Sequence, residues 1–433
     1  MRPMRRMVQG GARSVAASVR KHKPDYQILL YMWLIMMIGL VIIYAIGPQR
    51  ANVLNNAYGT DYYDSTYFFI KQTVSLAVAL LAFALATVTP YQLLLKHAGK
   101  ILGFGFAACV LLFLFGNVVH IDSIAQCSLG ACRWFTLGPL GSLQPAEFVK
   151  FGLLLFAAGF LGARATQGLI NDRDKTLIPL GVIVAIALVF IIGIQKDMGT
   201  GIAVIAILAA MLLMAGLKYR VWLALGGIMV LVGIAFILIA PHRLERVTTF
   251  FSGDSSNVDD AGAYHIAHAK IAIGSGGLTG VGIGNSVQAT GYLPEAINDS
   301  VFAIMGETFG FVGLVGILGL FTALLMRLLK VSDHLVDIRL KLIVAGVFGW
   351  LASHVVLNVG AMIGIIPLTG ITLPLLSFGG TSMVFIAAAL GLSFQLSRYT
   401  AFGSKLESSS DNARQQPAWA ARRSTRGRTG SKP

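Results

Sequence analysis

The sequence predicts an all-α polytopic membrane protein of about ten transmembrane helices, with a long extracytoplasmic loop between helices 7 and 8. Three observations carry that prediction. Hydrophobic residues make up 56% of the 433-residue chain and charged residues only 12%, half the charge of an ordinary soluble domain. The apolar residues fall in blocks of about 20, the length a helix needs to cross a bilayer core of about 30 Å. Lysine and arginine gather in every second connection, as they do where loops are retained on the cytoplasmic side.

Taken in order, the candidate spans run from Tyr26 to Ile46, Phe68 to Val88, Ile101 to Val119, Ala146 to Ala163 and Leu177 to Ile194. They continue from Gly199 to Leu217, Val221 to Ala240, Ser300 to Met326, Leu342 to Ile366 and Ser377 to Ser397. The fourth is forced to be unusual, because residues 151–163 between Lys150 and Arg164 are too few to cross. It must take Glu147 and Lys150 into the membrane, with Pro145 suited to its first turn. The last two come from a stretch between Lys341 and Arg398 that holds no Asp, Glu, Lys or Arg. Pro367, Gly370 and Pro374 break that stretch into a hairpin.

Orientation follows from charge. Residues 1–24 carry Arg2, Arg5, Arg6, Arg13, Arg20, Lys21 and Lys23 without a secretory cleavage pattern, and are expected to stay cytoplasmic. The membrane domain then covers residues 25–400, and its even loops return basic residues to the same side: Lys96 and Lys100, Arg164 and Arg173, Lys218 and Arg220, Arg327 and Arg339. Residues 401–433 form a polar, basic tail, expected to be disordered and cytoplasmic. The net charge of +15 is thus read as membrane topology and contact with anionic lipid. No aromatic and basic pattern points to nucleic acid. The segments 47–67, 120–145, 242–298 and 367–376 fall on the outer face, where Cys127 and Cys132 are open to a disulfide or to two free thiols.

Chemistry must therefore come from the outer loops and the helix ends beside them. In "GYLPEAINDSVFAIMGETFGF", Asn298 and Asp299 stand where a helix cap is expected. Capping does not account for Glu307, about 12 Å further along the same helix, at a depth where an ionisable group usually faces a cavity. Glu147 and Lys150 share one helix face, as a structural pair or as a holder and a reader of an anionic head group. The loop from Pro241 to Thr290 combines Arg243, Arg246 and Lys270 with a glycine run from Gly274 to Gly284. Such glycines allow close backbone approach, including to phosphate, although no nucleotide fingerprint is present. His265 and His268 lack the second ligand pair that zinc would need. The hairpin "GIIPLTGITLPLLSFGGTS" brings Ser377, Gly379 and Gly380 to a broken, cavity-lining position.

Acids, cations and broken helices at one face indicate a polar cavity for an anionic amphiphile. The residues that carry them also resemble a known family. "RWFTLGPLGSLQPAEFVK", "QKDMGT", "RLERVTTFF", "AIGSGGLTGVGIGNSVQATGYLPEAINDSVFAIMGE" and "NVGAMIGIIPLTGITLPLLSFGGTS" are similar to the SEDS family of shape, elongation, division and sporulation proteins. The resemblance spans Asp25 to Tyr399 and leans to the division-type FtsW branch over the elongation-type RodA branch. It implies a ten-helix peptidoglycan glycosyltransferase that polymerises lipid II into β-1,4-linked glycan at the outer face of the bacterial cytoplasmic membrane. It also implies a monofunctional penicillin-binding transpeptidase and other divisome proteins as partners, at the division septum. Lys196, His265, Ser300 and Thr308 depart from the family's usual Gln-Pro-Asp, Tyr-Gln, Asp-Phe and Glu-Glu pairings.

Sugar transfer from a polyprenyl diphosphate needs a base for the acceptor hydroxyl and positive charge for the departing diphosphate. Asp299 is assigned as base, with Glu295 as its support. Lys150, held by Glu147, and Arg243 and Arg246 are assigned to the diphosphate, with Arg133 and Lys270 behind them. A divalent ion, Mg²⁺ or Mn²⁺, is left open, since no pattern fixes one. One direct attack implies inversion. A lipid flippase or transporter is the competing reading, because it too needs a polar intramembrane cavity; a non-catalytic scaffold is the third.

Overall fold

A computed structural model of the chain describes residues 23–121, 123–128, 131–136, 138, 141–227 and 261–400. Arg243, Arg246, most of the seventh expected span, residues 1–22 and residues 401–433 lie outside the described residues.

The polypeptide folds as a helical bundle. Helix α1 is Tyr26–Tyr58, α2 Tyr67–Val88 and α3 Tyr91–Phe113, which continues through a π-helical turn to Val118. Helix α4 is Pro145–Thr166, α5 Arg173–Ile194 and α6 Met198–Met214. A seventh helix, α7, begins at residue 219 and is described as far as 227. Helices α8 (Ala261–Ser275), α9 (Val301–His334), α10 (Ile338–Met362) and α11 (Gly380–Leu396) complete the order. Among the described residues, eight helices are long and apolar enough to cross a membrane, and α6 is a shorter apolar one.

Several boundaries differ from those expected. Helix α1 runs on past Ile46 to Tyr58, through Pro48, so much of the first outer connection is helical. Helix α3 starts at Tyr91, which places Lys96 and Lys100 within it, and α9 ends two turns beyond Met326. Hydropathy marks the membrane-matched part of a helix, whereas backbone hydrogen bonding continues into the polar flanks. The connection after α3 holds a small antiparallel sheet in the order β1-β2-β3: β1 Ala125–Ser128, β2 Ala131–Thr136 and β3 Ser142–Leu143. Cys127 and Cys132 face each other across β1 and β2 and are disulfide-bonded.

Helix α10 is the central pillar, packed on α6, α9 and α4, while α2 packs on α11 and α3 on α4. Its inner face, Leu342 to Leu351, is almost wholly buried, with Trp350 at 0% exposure. By contrast α2 leaves Val74, Val78, Leu81 and Leu85 exposed. In water such a stripe would be costly; on a bilayer-facing helix it is the expected surface.

Helix α9 is broken at Gly310, whose φ of 68° and ψ of −169° interrupt the helical ladder. The carbonyls and amides freed there are satisfied by the glycine run after α8. Val281 N–H donates to Glu307 O at 2.9 Å and Gly282 N–H to Thr308 O at 3.1 Å, while Phe311 N–H reaches Gly277 O at 2.9 Å. A Cβ on Gly280 would lie 2.2 Å from Thr308 O, so only glycine permits this approach. The close approach read from the glycines is therefore made to the chain's own broken helix.

Candidate active site

Asp299 and Glu307, two acids of the segment 291–311, do different work. Glu307, 2% exposed in α9, accepts the Ser286 hydroxyl at 2.5 Å, Val287 N–H at 3.0 Å and Gln288 N–H at 3.2 Å. It anchors the loop that fills the helix break. Asp299 stands just before α9, but the N-cap position is Ser300, whose side chain makes no capping hydrogen bond. Asp299 is therefore one residue ahead of the N-cap position.

The turn that carries Asp299 is held by side chains. Asn358 of α10, 1% exposed, donates one amide hydrogen to Asp299 O and the other to Ile371 O, both at 2.7 Å. This ties the turn to the hairpin, as does Phe378 N–H to Ile297 O at 2.8 Å. Glu295, at a φ of 50°, is exposed; its carboxylate accepts the Asn298 amide and lies 3.7 Å from Arg50 of α1.

Lys150 is wholly buried in α4, its Nζ 2.7 Å from Glu147 Oε1 and 4.9 Å from the Trp350 ring centroid. Trp350, His354 and Asn358 recur every fourth residue and so share one face of α10. That face receives Lys150 at one end and holds Asp299 at the other, about 12 Å apart by helical rise. Trp350 Nε1, His354 Nε2 and Asn358 Oδ1 are buried without a hydrogen-bond partner among the described residues. Open polar atoms are uncommon in a native interior, and a group of them marks a place for a polar ligand or water.

The other assigned residues that the structure describes make contacts of their own. Arg133 of β2 donates to Gln195 O at 3.0 Å and Lys196 O at 2.9 Å, latching the α5–α6 turn. Asp197 in that turn caps α6 through Thr200 N–H and accepts Gln144 Nε2 at 2.9 Å. Lys270 is exposed on α8 and lies against Gly364. Ser377 turns its hydroxyl oxygen to Leu373 N–H at 2.8 Å, inside the hairpin, while Gly379 and Gly380 open α11. Among the described residues no three His, Cys, Asp or Glu side chains converge as metal ligands, so no step is routed through Mg²⁺ or Mn²⁺.

Sequence reasoning missed Trp350, His354 and Asn358. Their signal was there: polar or polar-tipped residues at helical spacing inside a stretch without charges.

The matching family model, that of the FtsW/RodA/SpoVE cell cycle proteins, covers residues 26–401. The chain belongs to this family. Over 393 residues it is 30% identical to stage V sporulation protein E of Bacillus subtilis strain 168, covering 89% of this chain and 100% of that protein. It is 32% identical over 379 residues to a protein of Thiomicrospira cyclica named a probable peptidoglycan glycosyltransferase FtsW, covering 85% and 90%. Among solved structures, a chain of a peptidoglycan synthase complex that coordinates polymerization and crosslinking superposes with a TM-score of 0.66 at 26% identity, covering 87% of this chain and 99% of that one. The rod shape determining protein RodA of Thermus thermophilus gives 0.59 at 25% identity, covering 88% and 98%. Both the FtsW/RodA/SpoVE motifs and the helical architecture read from the sequence are thereby accounted for.

Proposed function

We propose that this chain is a peptidoglycan glycosyltransferase of the division type, which polymerises lipid II at the outer face of the cytoplasmic membrane at the septum. The observation that carries the reading is the α10 face. It presents a buried cation, Lys150, and the turn bearing Asp299 to one polar region of a membrane bundle.

In this reading Asp299 accepts the proton of the acceptor hydroxyl as that oxygen attacks the anomeric carbon of the donor sugar. The bond from that carbon to the diphosphate breaks, and the electron pair leaves on the phosphoryl oxygen. Lys150, together with Arg243 and Arg246, offsets the growing negative charge. Lys150 is fixed for the task by Glu147 and by the Trp350 ring, which favours a cation over its face. A single displacement inverts the anomeric configuration and gives a β-linked strand. Glu295, paired to Arg50, supports the turn. The partners are a penicillin-binding transpeptidase that crosslinks the product and other division proteins, docked on lipid-facing spans.

The purified chain, supplied with lipid II and neither ATP nor an ion gradient, should make glycan strands. Lipid moving between leaflets with no polymer formed would instead establish the flippase reading.

A further inference from the structure

We propose that His265 is a positioning residue for Asp299, acting through the hydroxyl of Ser300. The proposal rests on Asp299 being the general base. His265 is buried on α8, and its Nε2 lies 2.5 Å from Ser300 Oγ. Ser300, at 0% exposure, donates its one hydroxyl hydrogen to Pro294 O at 2.7 Å. A carbonyl can only accept, so Ser300 Oγ must be the acceptor toward His265, and Nε2 must carry the hydrogen. The sequence of bonds from His265 to Ser300 to Pro294 fastens α8 to both ends of the turn that holds Asp299.

The turn needs such fastening. It includes Glu295 in the left-handed region and is closed by Asn298 N–H and Ser300 N–H sharing Glu295 O at 2.9 and 3.2 Å. Asp299 itself is gripped on the other side, where its carbonyl accepts Asn358. His265 and Asn358 therefore hold adjacent residues, Ser300 by its side chain and Asp299 by its carbonyl, from two different helices. A general base works only within hydrogen-bond reach of its proton, and a displacement of about 1 Å can cost about 100-fold in rate.

Steady-state kinetics of lipid II polymerisation by His265→Leu, His265→Gln and Ser300→Ala test this. His265→Leu and Ser300→Ala should lower kcat about 10- to 100-fold, with KM within about twofold, because only the placement of the base is lost. His265→Gln offers an amide hydrogen near the Nε2 position and should recover to within about threefold of the parent. The double change His265→Leu with Ser300→Ala should be no slower than the slower single, since both act on one bond. Thermal unfolding of each variant separates slow enzyme from unfolded enzyme, and Ser300→Ala serves if His265→Leu fails to fold. Parental kcat in Ser300→Ala, equal loss in His265→Gln and His265→Leu, a change confined to KM, or multiplicative loss in the double variant would each overturn the proposal. Full turnover by Asp299→Asn would be a separate failure, removing the base assignment beneath it.

Discussion

Lys150 is the residue on which a structural and a functional account of the buried pair part company. Its depth was legible, because the few residues before Arg164 force it into the membrane, and so was Glu147 one turn earlier on the same face. Trp350, which completes its surroundings, was not, because it arrives from a span 200 positions later (350 against 150) and only packing brings it there. The same holds for Arg133, visible as a cation but not as the donor to two carbonyls of the α5–α6 turn. If Lys150 receives the departing diphosphate, Lys150→Met should cut polymerisation by about 100-fold or more while the protein still inserts and folds. Part of any loss comes from leaving Glu147 buried and unpaired. The double change Glu147→Gln with Lys150→Met isolates that part. It should remain inactive, whereas recovery of most activity in a strand-synthesis assay would reduce the pair to architecture.

At the scale of elements, the least ordinary feature is the break in α9 filled by the glycine run. The sequence shows that a backbone comes close to something at Gly274 to Gly284, since several glycines in a short space serve little else. It does not show to what, and phosphate was the chemical guess; the partner is the set of peptide groups released at Gly310. The chemistry of the match is strict. Gly280→Ala would drive a methyl group into Thr308 O, whereas Gly277→Ala meets nothing within 4 Å and pays only for its φ of 53°, about 1 to 2 kcal/mol. Thermal unfolding should therefore show a much larger loss of Tm for Gly280→Ala than for Gly277→Ala. Equal Tm values would contradict the plugged break. Glu307→Gln leaves a buried amide where a carboxylate accepted three donors, and should cost about 1 to 3 kcal/mol. Hydrogen exchange should quicken over residues 281–290, with exchange in α2 unchanged. The sheet between α3 and α4 was not foreseen, because its strands are too short to raise a periodic signal above the loop around them.

For the whole molecule, the polytopic helical class and the order of the described apolar helices were legible because the bilayer imposes one length on every crossing, while helix ends in the polar flanks are free of that constraint. Orientation rests on basic residues alone and is directly testable. Thr60 and Asp333 are exposed at opposite expected sides of the membrane. An impermeant thiol reagent added to intact cells should label Thr60→Cys and spare Asp333→Cys, and the reverse pattern would put Asp299 on the wrong side for an extracytoplasmic reaction. The central claim joins fold to chemistry: a family membrane bundle that makes glycan by using the Asp299 carboxylate as a base. An amide of the same shape is essentially non-basic, so the most direct measurement is the polymerisation rate of folded Asp299→Asn protein given purified lipid II. Normal abundance, retained binding of lipid II and a rate at least about 100-fold below the parent are expected. Turnover close to that of the parent would contradict the account and pass the role of base to Glu295.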